Sequence, residues 1–186
     1  MAYQFMKYAV CLAVGVMCVS CASTMLLPEV STAPYVDLER YQGKWYEIAR
    51  LPAWFQKGCL QSTATYALDG SGGMTVVNEC VTEDGRRKKS SGTASVIDKQ
   101  SGAKLEVLFD NWLSRLLPSL MKGKYWILHI DTDYRTVIVG TPDRKYLWIM
   151  ARTPALGEKE YEQLLQIAGA QGFDTDALIR ASDRGL

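Results

Sequence analysis

One histidine and five cysteines are the side chains best suited to nucleophilic, acid–base or metal chemistry in this sequence. His129 stands alone, and no Gly-x-Ser-x-Gly string accompanies it. Serine hydrolysis needs an activated nucleophile within hydrogen-bond reach of a base. No such pairing is readable, so no catalytic residue is assigned, and His129 reads as a packed or surface imidazole. Cys59 and Cys80 with a single histidine are too few ligands for a tetrahedral metal centre, and no metal or cofactor is expected. Glu47 is the remaining chemical feature. It falls in Gly43-Lys44-Trp45-Tyr46-Glu47-Ile48-Ala49-Arg50, an alternating segment whose phase aims it inward with Trp45. A carboxylate in an apolar interior costs several kcal/mol unless it is paired or protonated.

The elements that must position these residues follow from composition and period. The chain has 186 residues, 48% hydrophobic and 22% charged, with net charge +1. That length suits one core, and the charge balance argues against a nucleic-acid partner. Ten Tyr, five Trp and four Phe favour strands over a helical bundle.

The first 20 residues read as a targeting segment. Lys7 precedes an apolar run from Tyr8 to Val19, about 12 residues, which is h-region length and too short to span a bilayer. Val19-Ser20-Cys21-Ala22-Ser23 follows, and it resembles the lipobox of bacterial lipoproteins. The resemblance implies cleavage before Cys21, acylation of that cysteine and, with Ala22 rather than Asp after it, an outer-membrane address. An ordinary cleaved signal peptide is the alternative. Residues 21–36 then form a lipidated N-terminus and flexible tether, and 37–186 the folded domain. Cys11 and Cys18 leave with the signal. Cys59 and Cys80 remain as an even pair in a compartment where disulfides persist; two reduced, buried thiols are the alternative.

From Trp45 the period is two. Eight strands are expected at about 45–52, 59–68, 73–82, 88–97, 103–110, 124–131, 134–141 and 145–152, separated by Asp/Gly/Ser/Pro turns. Such a series suits an all-β, eight-stranded antiparallel up-and-down barrel, which leaves no edge exposed. Tyr161, Leu164, Leu165 and Ala168 then share one face of a C-terminal helix at 158–170, packed outside the barrel.

Three stretches carry a resemblance to the lipocalin family: Gly43-Lys44-Trp45, Thr132-Asp133-Tyr134 and Arg152. The flanking strings Tyr41–Arg50 and Pro142–Pro154 narrow it to the bacterial outer-membrane lipoprotein branch. Alternating hairpins put all three stretches at one end, the base. The resemblance implies that Gly43, Trp45, Thr132, Asp133, Tyr134 and Arg152 close the barrel structurally.

Side chains two apart share a strand face. By that phase Glu47, Ala49, Leu51, Ala64, Tyr66, Val76, Asn78, Tyr125, Ile127, Ile138, Tyr146 and Trp148 are expected to line a cavity for a lipid ligand. Core filling is the rival reading for each. Glu47→Ala is expected to alter lipid preference while sparing stability. At the mouth, the 110–123 connection carries Trp112, Leu113, Leu116 and Leu117 and reads as a lid or membrane-dipping loop, with local core as the rival.

The resemblance implies a non-enzymatic, lipid-anchored carrier of a fatty acid or lysophospholipid on the periplasmic face of a bacterial outer membrane, serving envelope maintenance. It leaves a homodimer open. A lipocalin-fold enzyme, or a structural lipoprotein with a filled cavity, are the alternatives.

Overall fold

A computed structural model describes residues 28–110 and 122–181. The signal segment, Cys21 and the mouth-loop residues Trp112, Leu113, Leu116 and Leu117 lie outside the described residues. Asp37 starts the short helix α1 (Leu38–Tyr41) by accepting from the Glu39 and Arg40 amides through its carboxylate. Strands follow in series: β1 (Gly43–Arg50), β2 (Cys59–Leu68), β3 (Met74–Thr82), β4 (Arg87–Val96), β5 (Lys104–Phe109), β6 (Gly123–Ile130), β7 (Thr136–Gly140) and β8 (Leu147–Ala151). Each pairs antiparallel with the next, and β1 pairs with both β2 and β8, which closes the barrel. Helix α2 (Glu158–Ala170) and a two-residue strand β9 (Ile179–Arg180), paired with β1, complete the fold.

The expected strands β7 and β8 are each trimmed at their start. Tyr134 and Arg144 adopt φ of 58° and 59°, left-handed turn conformations that end a strand. Two apolar layers result. One fills the barrel around Trp45, Tyr66, Val76, Ile127, Val137 and Met150. The other lies outside, between the barrel wall and α2, around Ile48, Ile138, Ile149, Tyr161, Leu164 and Ala168.

Two β-bulges set which side chains join which layer. In β1 the register against β8 shifts between Glu47 and Ala49. Ile48 and Ala49 both turn outward, and the phase beyond them is inverted. Ala49 and Leu51 therefore pack beneath α2, correcting the expectation that they face the lumen, and Arg50 turns inward. In β6 a shift between Ile127 and His129 pairs Ile127 with Val139 instead of Gly140. Val137 and Val139 then point in and Ile138 points out, a second correction.

A third concerns the tether. Val30, Ala33 and Val36 are buried, and the amides of Ala33 and Val36 donate to Ile127 O and Ser101 O at 2.9 and 2.7 Å. Residues 28–36 are thus packed on the barrel instead of hanging free. Their apolar side chains recur every third residue, a spacing that marks neither helix nor strand.

Candidate functional site in the barrel interior

The base is sealed. Gly43 has a φ of +94°, and a Cβ there would meet Arg152 Nη1 at 3.3 Å, so the chain passes close beneath the arginine only without a side chain. Trp45 is fully buried and donates through Nε1 to Tyr41 O at 2.9 Å. The Arg152 guanidinium lies 3.8 Å from the Trp45 ring centroid. It also donates to the carbonyls of Tyr134, Lys44, Arg40 and Tyr41 at 2.8–3.2 Å. Arg40 reaches Thr132 O at 2.9 Å and stacks over the Tyr134 ring at 4.1 Å. The Asp37 amide donates to Tyr134 Oη at 2.7 Å. Thr132 and Tyr134 thus join the closure. Asp133 is solvent-exposed, with its amide donating to Asp131 Oδ2 at 3.2 Å.

Asp131, which the sequence marks as a turn residue without a role of its own, organises this turn. It accepts from the Arg135 and Thr136 amides and the Thr136 hydroxyl. Burial alone would raise its pKa, but these donors outweigh burial and hold it below the usual carboxylate range. An aspartate opening a tight turn was the available signal.

Higher in the lumen, three phenols meet. Tyr41 and Tyr125 hydroxyls lie 2.7 Å apart, and Tyr66 Oη donates to Tyr125 Oη at 2.8 Å. Desolvation raises the pKa of all three, so they stay neutral O–H groups. Three protons shared over two bonds leave one donor for a further acceptor. Ala64, Val76 and Ile127 line the same interior. Asn78 is opposite Ala64 across β2–β3 and so shares its face.

Toward the mouth, Glu47 is buried but not alone. Arg50 Nη1 donates to Glu47 Oε1 at 2.7 Å, with both side chains about 5% exposed or less. Gln56 Nε2 donates to Glu47 Oε2 at 2.7 Å, and Trp148 Nε1 donates to Gln56 Oε1 at 2.8 Å. Arg50 Nη2 reaches Gln56 O at 3.2 Å. Arg50 Nε is buried with no hydrogen-bond partner among the described residues. Gln56 belongs to a 3-10 turn (Trp54–Gln56) in the β1–β2 connection, which folds over the lumen. Phe55 caps it, 5.4 Å from Tyr146 and 6.4 Å from Trp148, and Tyr146 stacks on Trp148 at 5.9 Å. A disulfide joins Cys59 to Cys80, with Cα atoms 5.6 Å apart, and ties the start of β2 beside this turn.

The structure therefore gathers Glu47, Ala64, Tyr66, Val76, Asn78, Tyr125, Ile127, Tyr146 and Trp148 on the interior and its rim, and separates Ala49, Leu51 and Ile138 from them. Tyr41, Arg50, Phe55 and Gln56 were missed. Arg50 is three residues from Glu47, which in an unbulged strand puts the two on opposite faces. Gln56 carries no sequence signal. The Glu47–Arg50 pair also overturns the expectation that Glu47→Ala spares stability.

His129 lies outside the lumen, in a recess of about 450 Å³ with Thr32, Tyr35 and Asp131. Burial lowers its pKa, against an opposing pull from Asp131. Among the described residues no cluster of His, Cys, Asp and Glu could hold a metal ion, and no helix is long and apolar enough to cross a membrane.

Comparison with known proteins agrees with this architecture. Residues 36–183 match the family model described as a lipocalin-like domain. Temperature-induced lipocalin-1 of Arabidopsis thaliana is 39% identical over 153 residues, 81% of each chain. The outer membrane lipoprotein Blc of Citrobacter freundii is 35% identical over 168 residues, 90% of each chain. Among solved structures, insecticyanin from the tobacco hornworm Manduca sexta superposes with a TM-score of 0.62 at 20% identity, covering 83% of this chain and 85% of its own, a likeness of fold. Closed barrel, sealed base, outer helix and sequence identity agree: the chain belongs to the lipocalin family.

Proposed function

We propose that this protein is an outer-membrane-anchored lipocalin that binds one single-chain lipid, a fatty acid or lysophospholipid, and stores or carries it for envelope maintenance. The lipocalin family and fold generally serve binding, and similarity to Blc, an outer membrane lipoprotein by name, supports the address. The observation that carries the reading is the interior itself. An apolar and aromatic wall sits between a closed base and a rim of Phe55, Tyr146 and Trp148. Donors interrupt it: the surplus proton of the Tyr41–Tyr66–Tyr125 group and, toward the mouth, Arg50, whose buried Nε has no partner among the described residues. Such a wall suits an acyl chain, and such donors suit a carboxylate, carbonyl or phosphate oxygen. Acylation of Cys21 supplies the anchor, and the lipid leaves chemically unchanged.

Mass spectrometry of lipid extracted from the purified protein tests the reading. A carrier returns intact fatty acid or lysophospholipid, near one per barrel. Cleaved products accumulating from added lysophospholipid would favour an enzyme, and an empty barrel that takes up no added lipid would reduce it to scaffold.

A further inference from the structure

Where the chain enters the fold points to how the barrel sits. Pro28, the first described residue, accepts through its carbonyl from Arg144 Nη2. Arg144 lies in the β7–β8 turn, at the mouth, and its Nε donates to Gln171 O at 2.6 Å. The Ser31 amide donates to Gln171 Oε1 at 3.0 Å. From there the segment descends the outside wall to Ser101, in the β4–β5 turn at the base. Whatever precedes Pro28 therefore departs beside the open end.

The same end carries the most exposed large apolar side chain among the described residues, Trp54, at 82%, with Phe55 at 49%. Around them lie Lys57 and an unbroken cationic run, Arg86-Arg87-Lys88-Lys89, all exposed, where the β3–β4 turn enters β4. Arg86 pairs with Asp84 at 2.6 Å; Lys57, Arg87, Lys88 and Lys89 make no ion pair among the described residues. Between Trp54, Lys57 and Glu83 the rim holds a recess of about 440 Å³. The base exposes Tyr35, Leu68 and Ile97, but Asp37, Asp69 and Asp98 stand within two residues of each. Arg40, Lys44 and Lys99 stand among those acids, so the base has no cationic excess, whereas Lys57 and the 86–89 cations outnumber Glu83 and Asp84 at the mouth and attract an anionic surface.

We infer that the open end of the barrel docks on an anionic lipid bilayer, with Trp54 and Phe55 in the headgroup layer and the 86–89 cations over it. Tryptophan favours that interface, and each cation near an anionic leaflet strengthens partition about fivefold. The inference rests on the proposed Cys21 anchor for its geometry. Seven residues from Cys21 to Pro28 reach at most about 25 Å. A ten-residue strand such as β2, at about 3.3 Å per residue and tilted about 40°, makes the barrel about 25 Å tall. A base-down barrel would stretch the tether to its limit, whereas a mouth-down barrel leaves it slack. Docked this way, the lumen opens onto the bilayer from which a lipid would be drawn.

The test uses the full lipid-anchored protein in vesicles of phosphatidylcholine with about one-third phosphatidylglycerol, nitroxide-labelled through Lys57→Cys or, separately, Ser71→Cys in the β2–β3 turn at the base. The expected result is lipid-phase collision at 57 and water-phase collision at 71. Arg87→Gln/Lys88→Gln/Lys89→Gln with Trp54→Ala should lower the lipid-phase signal at 57 severalfold, as should vesicles of phosphatidylcholine alone. Equal aqueous exposure at both labels, or lipid contact at 71, overturns the inference. Fatty-acid displacement measured on the same samples separates the two readings: retained displacement without docking sinks the orientation alone.

Discussion

Glu47→Ala tests the interior polar cluster most sharply. The carboxylate is within 2.7 Å of both Arg50 Nη1 and Gln56 Nε2, and both charged residues are about 5% exposed or less. Removing it strands the guanidinium, which among the described residues keeps only Gln56 O at 3.2 Å as a hydrogen-bond acceptor. Breaking one side of a buried ion pair costs about 3–5 kcal/mol. For a domain of this size that corresponds to a fall in Tm of about 6–20 °C. Replacing both charges, as Glu47→Leu/Arg50→Met, removes the stranded ion. Gln56 Nε2 then loses an acceptor and Gln56 O a donor, so all but about 1–3 kcal/mol should return. Urea denaturation of wild type, Glu47→Leu, Arg50→Met and the double variant closes the cycle, with Glu47→Ala measured beside it. If Glu47→Ala shifts stability by less than about 1 kcal/mol, or the double variant is no better than the worse single, the pair is not buried as described.

At the base, Arg152→Lys keeps the charge but loses the planar fork shared among four carbonyls; the unfolding free energy should fall by about 2 kcal/mol, seen as a lower denaturant midpoint. Cys59→Ser/Cys80→Ser opens a cross-link spanning 21 residues. Chain entropy predicts a loss of about 3 kcal/mol, and reducing the wild type should reproduce it. Gly140→Ala places a Cβ 2.8 Å from the Phe173 ring and 2.9 Å from Leu128. Overpacking between barrel and α2 should cost about 1–3 kcal/mol, visible as a lower Tm. Asp131 titrates low in the folded state. Its contribution is therefore present above the unfolded carboxylate pKa, about 3.9, and is lost as pH falls through the folded value. Asp131→Asn should flatten that acid limb of the stability–pH curve.

The barrel was legible because its determinants are local. Alternation names the strands, and Asp/Gly turns separate them. Trp45, Thr132–Tyr134 and Arg152 fall at one end by counting hairpins. Ala64, Tyr66 and Val76 took their correct face because β2 and β3 pair without a shift between Gln61 and Leu68. Ala49, Leu51 and Ile138 did not, because the bulges that turn them outward arise from closing the sheet and covering it with α2. Closure is a property of the whole circuit. The same cause hid Arg50, whose inward turn exists only beyond the β1 bulge. Gln56 was invisible for another reason: a loop has no period, and its place over the lumen is fixed by Phe55 packing on Tyr146 and Trp148.

The most direct measurement is titration of the purified protein with a fluorescent fatty acid, followed by displacement with unlabelled fatty acid and lysophospholipid. Run beside it, Ala64→Trp puts an indole where the interior wall now has a methyl, with circular dichroism confirming a folded barrel. Saturable binding at one ligand per chain, competed by both lipids and abolished in the folded Ala64→Trp variant, is the outcome that places the lipid in the lumen. Undiminished binding in that variant, or none in the wild type, would contradict it.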